Sequence, residues 1–200
     1  MELPIELLVI IAQFSNEALD TCRELADRKR QLVHYKLPKE DSLKYYSGEL
    51  QLNIRLLSID LSDCQNVTDV SALRGVTNLN LSHCPGITDV SVLGNATTLD
   101  LSWCQEVTDV SALKDVTDLN LSWCRRITNV SALRGVTTLD LQGCQGITDV
   151  SALHGVTTLN LSCCPGITDI SALGKVTNLI LTYCPGITDV SALHSVPTLN

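Results

Sequence analysis

The sequence of 200 residues predicts a solenoid of stacked coils, each a short parallel β-strand with a turn and a compact return, preceded by a small α-helical leader. Three observations predict it. A 20-residue unit carrying the phrase LNLSxCPGITDVSAL recurs from about Leu56 to the last residue. Within a unit the apolar spacing widens from two to three, a strand period giving way to a tight return. Residues 1–50 mix Arg, Lys, Glu and long apolar side chains, whereas 51–200 are dominated by Leu, Val, Thr, Asn, Ser, Asp and Gly. A unit this short cannot bury its apolar side alone, so the copies must stack.

The leader comes first in the chain. Leu3, Leu7, Leu8 and Ile11, followed by Phe14, have helical spacing, and Pro4 suits a first helical turn. Ser15 or Asn16 can cap a second helix containing Leu19, Cys22, Leu25 and Ala26. Glu2 and Glu6 stand where a secretory leader would be basic, and no apolar run is long enough to span a bilayer. The expected setting is intracellular, probing no membrane.

The repeat is read in order from Val76. Val76, Leu79, Leu81, Cys84, Ile87, Val90 and Leu93 are its apolar positions, and Leu79 and Leu81 mark the strand. With one Phe and two Trp in the whole chain, the core must be layers of Leu, Val, Ile and Cys. Pro85-Gly86, Pro165-Gly166 and Pro185-Gly186 supply the turn after the strand. Gln65-Asn66, Gln105-Glu106 and Arg125-Arg126 lack the glycine there, so a positive φ is not required in every copy. Asp69, Asp89, Asp109, Asp149, Asp169 and Asp189 form a column interrupted by Asn129, each expected to accept backbone N–H bonds where the return begins. Twenty residues leave room only for a single helical turn or an extended segment on that side. Seven complete coils and an incomplete eighth should rise by roughly 35 Å.

Cys64, Cys84, Cys104, Cys124, Cys144, Cys164 and Cys184 also recur every 20 residues. They should form an inward column of parallel thiols, close but poorly aimed for disulfides, which suits a reducing compartment. Cys163 is the one repeat cysteine expected to face solvent. A linear column does not give four ligands converging on one point, so no metal is expected. No phosphate-cradling loop, acid–base pair or nucleophile set appears: Asp63 and His83 have no third member. The chain is read as neither an enzyme nor a cofactor binder.

The net charge of -8 falls mostly on the repeats, where about thirteen acids face six bases. That balance disfavours nucleic acid and favours a basic protein or peptide. The residue before the cysteine varies while its surroundings are copied: Asp63, His83, Trp103, Trp123, Gly143, Cys163, Tyr183. Both tryptophans stand there, with Asp100, Asp118 and Asp140 expected in the same patch. Either Trp103 and Trp123 are the centre of a partner site on the concave face, gripping a Lys or Arg side chain, or they shield the sheet and each other. His83 belongs to the same candidate surface, and Tyr183 with Ile180 forms a weaker second patch.

Leu79, Leu81 and Cys84 match the later part of the L-x-x-L-x-L-x-x-C core, with Val76 in place of its first Leu, so the repeats resemble leucine-rich repeats of the cysteine-containing class. The ITDVSAL phrase resembles the short repeats of bacterial internalins. The fold implied is a leucine-rich repeat solenoid with parallel strands on the concave face. The leader LPIELLVIIAQF resembles the first helix of an F-box, which implies that Leu3, Pro4, Leu7, Leu8 and Ile11 contact a ubiquitin-ligase adaptor while the repeats present a substrate. The likeness fades after Cys22-Arg23, where no tryptophan follows. Without it, residues 1–50 are an N-terminal cap and the protein is a binding scaffold, intracellular or exported.

Overall fold

The first six strands each alternate one apolar residue between two polar ones, so the pleat buries the first and leaves the others at least partly exposed. Asn78–Asn80 is typical: Leu79 is buried and both asparagines are half-exposed. The computed structural model describes residues 58–199. The leader, its boundary at residue 50 and the adaptor candidates Leu3, Pro4, Leu7, Leu8 and Ile11 lie outside the described residues.

Eight strands follow: β1 Ser58–Asp60, β2 Asn78–Asn80, β3 Thr98–Asp100, β4 Asp118–Asn120, β5 Thr138–Asp140, β6 Thr158–Asn160, β7 Asn178–Ile180 and β8 Thr198–Leu199. They form one parallel sheet in sequence order, with every residue facing its counterpart 20 positions on. Three residues understate the pairing. The Thr77 carbonyl accepts from both Thr97 and Thr98, Leu81 N–H donates to Asp100 at 2.8 Å, and His83 N–H donates to Ser102 at 2.8 Å. The inter-coil ladder therefore runs on past each strand to the variable column.

The return side is a single 3-10 turn per coil, from Ser71–Leu73 to Ser191–Leu193, as the short repeat demands. Asp69, Asp89, Asp109, Asn129, Asp149, Asp169 and Asp189 each accept the N–H of the serine two residues on, at 2.8–2.9 Å. Asn129 thus does the same work without charge. The bond lowers the carboxyl pKa of Asp89, Asp109, Asp149, Asp169 and Asp189, with the Ser N–H as the largest cause.

Between the two sides lies a core repeated coil by coil. In one coil Val116, Leu119, Leu121, Cys124, Ile127, Val130 and Leu133 are all at most 1% exposed. The turn glycines answer to this packing rather than to φ. Gly86, Gly146, Gly166 and Gly186 do not have positive φ, but a Cβ on Gly166 would stand 2.8 Å from the Ile147 carbonyl of the preceding coil. No helix among the described residues is long and apolar enough to cross a membrane.

Candidate interaction surface

The variable column is where the backbone departs from the strand. Asp63, His83, Trp103, Trp123, Gly143, Cys163 and Tyr183 all have φ between 57° and 71°. The left-handed residue resets the pleat, so Leu81 and Cys84, three apart, both point inward. Non-glycine residues bear roughly 1–2 kcal/mol each for this conformation, held from Asp63 to Cys163 by an N–H bond to the following coil. Sequence reasoning considered positive φ only at the Pro-Gly turn, where it was not required in every copy, and did not look for it in this column. Gly143, a lone glycine in the column, was the available signal.

The column lies along the rim where strands pass into the turns, for His83 and Trp103 share a groove with Pro85, Gln105 and Glu106. His83 stacks on Trp103 with centroids 5.4 Å apart and planes 13° from parallel. Trp103 stacks on Trp123 at 5.0 Å and 18°. The Arg125 guanidinium lies 5.4 Å over the Trp123 ring. Gly143 completes the stack, since a Cβ there would come 2.7 Å from Trp123 Cε3. Both tryptophans are half-buried. With His83, Trp123 and the Gly143 backbone against their faces, the rings present mainly their edges outward.

The carboxylates expected beside the rings have other commitments. Asp100 Oδ1 accepts the Ser102 N–H at 2.8 Å and Oδ2 accepts from Asn120 Nδ2 at 3.2 Å. Asp140 is bound in the same way by Gln142 N–H and Asn160 Nδ2. Asp118 is exposed on β4, in register with Thr98 and Thr138. Tyr183 is 81% exposed, and Ile180, three residues before it, is half-exposed. The structure thus gathers His83, Trp103 and Trp123 into one stack and places Asp100, Asp118 and Asp140 on the sheet.

The strand column itself holds a pattern that sequence reasoning passed over. Asp60, Asn80, Asp100, Asn120, Asp140 and Asn160 alternate acid and amide from coil to coil. Each accepts the N–H two residues on through Oδ1. Adjacent carboxylates at a strand spacing of about 4.8 Å would repel. An intervening amide removes one charge and supplies a donor.

The cysteine column is inward and reduced, and it has a function the sequence did not show. From Cys84 on, the thiols donate to the carbonyl of the leucine just past the strand of the preceding coil: Cys84 to Leu61, Cys104 to Leu81, Cys124 to Leu101 and Cys144 to Leu121, all at 3.1 Å. Burial pushes the Cys104, Cys124 and Cys164 thiols up to about 12, so they stay protonated donors. Cys163 is half-exposed, as expected, but so are Cys64 and Cys184. Cys184 belongs to the last described coil, where Leu181 and Ile187 also lose cover.

A family model described as Leucine Rich repeat matches residues 97–114 and 136–153. The solved structure of an internalin C2 from Listeria monocytogenes str. 4b F2365 is 30% identical, with a TM-score of 0.58 over 74% of this chain and 74% of that one. An internalin (inlF) from the same organism is 26% identical, with a TM-score of 0.53. That match covers 64% of this chain and 42% of the other, so this chain spans less than half of that protein. A search of curated proteins returns no match.

Proposed function

The chain belongs to the leucine-rich repeat family, and from that premise we propose that it is a non-enzymatic protein-interaction scaffold whose partner docks on the rim column and the adjoining concave face. Trp103 and Trp123 form the centre, with His83, Tyr183 and the sheet carboxylates Asp100, Asp118 and Asp140 around them. One observation carries the reading. In an array otherwise copied from coil to coil, both tryptophans of the chain occupy the variable column and are already stacked at 5.0 Å. Rings fixed in advance lose little freedom on binding, which is what an anchor requires. The excess of acids supports a partner with basic groups.

The test compares the full chain with the Trp103→Ala/Trp123→Ala double variant as immobilised bait, alongside melting temperature. Partners retained by the full chain and lost by a variant of unaltered fold support the reading; capture unchanged by the double substitution refutes it.

A finer form of the proposal has the leader docking a ubiquitin-ligase adaptor through Leu3, Pro4, Leu7, Leu8 and Ile11, and rests on the LPIELL motif alone. Adaptor binding abolished by Leu7→Asp/Leu8→Asp supports it, whereas a folded full chain that ignores the adaptor rejects it. The alternative is a scaffold without a ubiquitin-ligase connection, intracellular or exported, and the likeness of the repeats to internalin C2 fits it.

A further inference from the structure

We propose that the groove at the His83 end of the ring stack receives an arginine side chain of the protein partner. The proposal rests on the scaffold reading above and names the chemistry of one contact within it.

The groove is lined by Asp63, Gln65, His83, Trp103, Gln105 and Glu106, drawn from three successive coils, and Pro85 forms part of its wall. All but the half-buried Trp103 are exposed. Trp103 covers one face of the His83 ring. On the other side the next rung of the column is Asp63, one strand spacing away. The Asp63 carboxylate has no hydrogen bond or ion pair among the described residues. Glu106 is joined to Arg126 but remains half-exposed at the groove. The site thus combines a ring face against which no ring or cation of the described residues is stacked, a carboxylate without a partner among those residues, a second carboxylate, and two amide oxygens that can accept further N–H groups.

The other end of the same stack shows what that combination takes. There the Arg125 guanidinium lies over the terminal ring, Trp123. At the His83 end no cation of the described residues fills the equivalent position. A planar guanidinium can lie on a ring while its N–H fork engages a carboxylate in the ring plane, which a compact ammonium cannot do. An anion would meet Asp63 and Glu106, against one base already engaged. Arginine is therefore the side chain that matches both the flat floor and the acidic walls.

The test uses full-length protein and the capped tripeptide N-acetyl-Gly-Arg-Gly-amide, with lysine and citrulline counterparts. Ring resonances of His83 and backbone resonances of the column are followed by NMR. Tryptophan emission reports independently, because both tryptophans of the chain lie in the stack. The expected result is saturable change confined to Asp63, His83, Trp103 and Glu106, weaker by about threefold or more for lysine and absent for citrulline. Asp63→Asn should weaken the arginine peptide by about fivefold. It should leave the fold intact, since asparagine tolerates the left-handed backbone at this position. Equal response to lysine and arginine spread along the Asp69–Asp189 column would overturn the proposal as general attraction to an acidic surface. Absence of localised change, or no effect of Asp63→Asn, would overturn it too. Either result leaves the scaffold reading standing if capture still depends on Trp103 and Trp123, and that reading falls by its own bait experiment whatever the tripeptide does.

Discussion

Replacing Asn120 with aspartate tests whether the acid–amide alternation on the sheet is a stability device. The substitution sets three carboxylates in consecutive register, at positions 100, 120 and 140. It also removes the Asn120 Nδ2 bond to Asp100 Oδ2. Two unit charges about 4.8 Å apart repel by about 3.5 kcal/mol at an effective dielectric of about 20 and by about 0.9 kcal/mol in water. These half-buried positions fall between those limits, so two new pairs and a lost charged hydrogen bond sum to several kcal/mol. Protonation sets a ceiling. From an unfolded pKa near 3.9, neutralising the new group at pH 7 costs about 4 kcal/mol, so the observable loss is about 2–4 kcal/mol. Its sign with pH follows directly. Repulsion raises the folded pKa of the introduced carboxyl above its unfolded value, so the destabilisation is full above the folded pKa and is relieved as pH falls towards 4.

Urea unfolding of variant and parent at pH 7 and at pH 4.5, in low and high salt, measures this difference. Asn129→Asp is the control. Asn129 already lies in an exposed column of aspartates, and a carboxylate can accept the Ser131 N–H as the amide does. A much smaller change is expected there. A penalty at 120 no larger than at 129, or one indifferent to pH, would refute the account of the alternation.

Gly143→Ala should cost roughly 2–3 kcal/mol, combining a positive φ with a Cβ placed 2.7 Å from the Trp123 ring; near-ultraviolet circular dichroism should lose the signal of the coupled tryptophans, and an unchanged spectrum would contradict the stack. Asp89, Asp109, Asp149, Asp169 and Asp189 have lowered pKa values, chiefly through serine N–H bonds. Their contribution is present above the unfolded pKa near 3.9 and is lost as pH falls through the folded values. Acid titration of stability should therefore flatten in an Asp109→Asn/Asp149→Asn variant, and an unaltered acid slope would count against the caps. With a thiol reagent at pH 8, Cys64, Cys163 and Cys184 should react in the native protein, whereas Cys104, Cys124 and Cys164, pushed up to about 12 and bonded to carbonyls, should react only on unfolding. Leu119→Ala should lower stability by about 2–5 kcal/mol, read as a fall in urea midpoint, because the position is 1% exposed between like coils.

The architecture was legible because a fixed repeat forces equivalent residues into equivalent environments. Spacing alone located Leu79 on a strand, Leu81 and Cys84 inside, and Asp89 at the start of a tight return; the strand itself ends at Asn80, one residue before Leu81. The acid–amide alternation from Asp60 to Asn160 was equally available in the letters, yet its meaning depends on knowing that those residues face one another across a parallel register. A shared patch of rings and carboxylates was expected from the spacing. The letters did not show that Asp100 and Asp140 accept bonds from their own and the following coil while the rings stack on one another.

The sequence by itself determined the coil, its register and its core, since a 20-residue period and the burial of apolar side chains admit one way of stacking. Tertiary structure decided what the varying residues do. A left-handed backbone at every member of the column from Asp63 to Tyr183 sets the rim, and contact between successive coils turns His83, Trp103 and Trp123 into a stack with Arg125 at one end. Neither feature is a property of one repeat. Both arise between coils, where side chains 20 residues apart come within about 5 Å of each other.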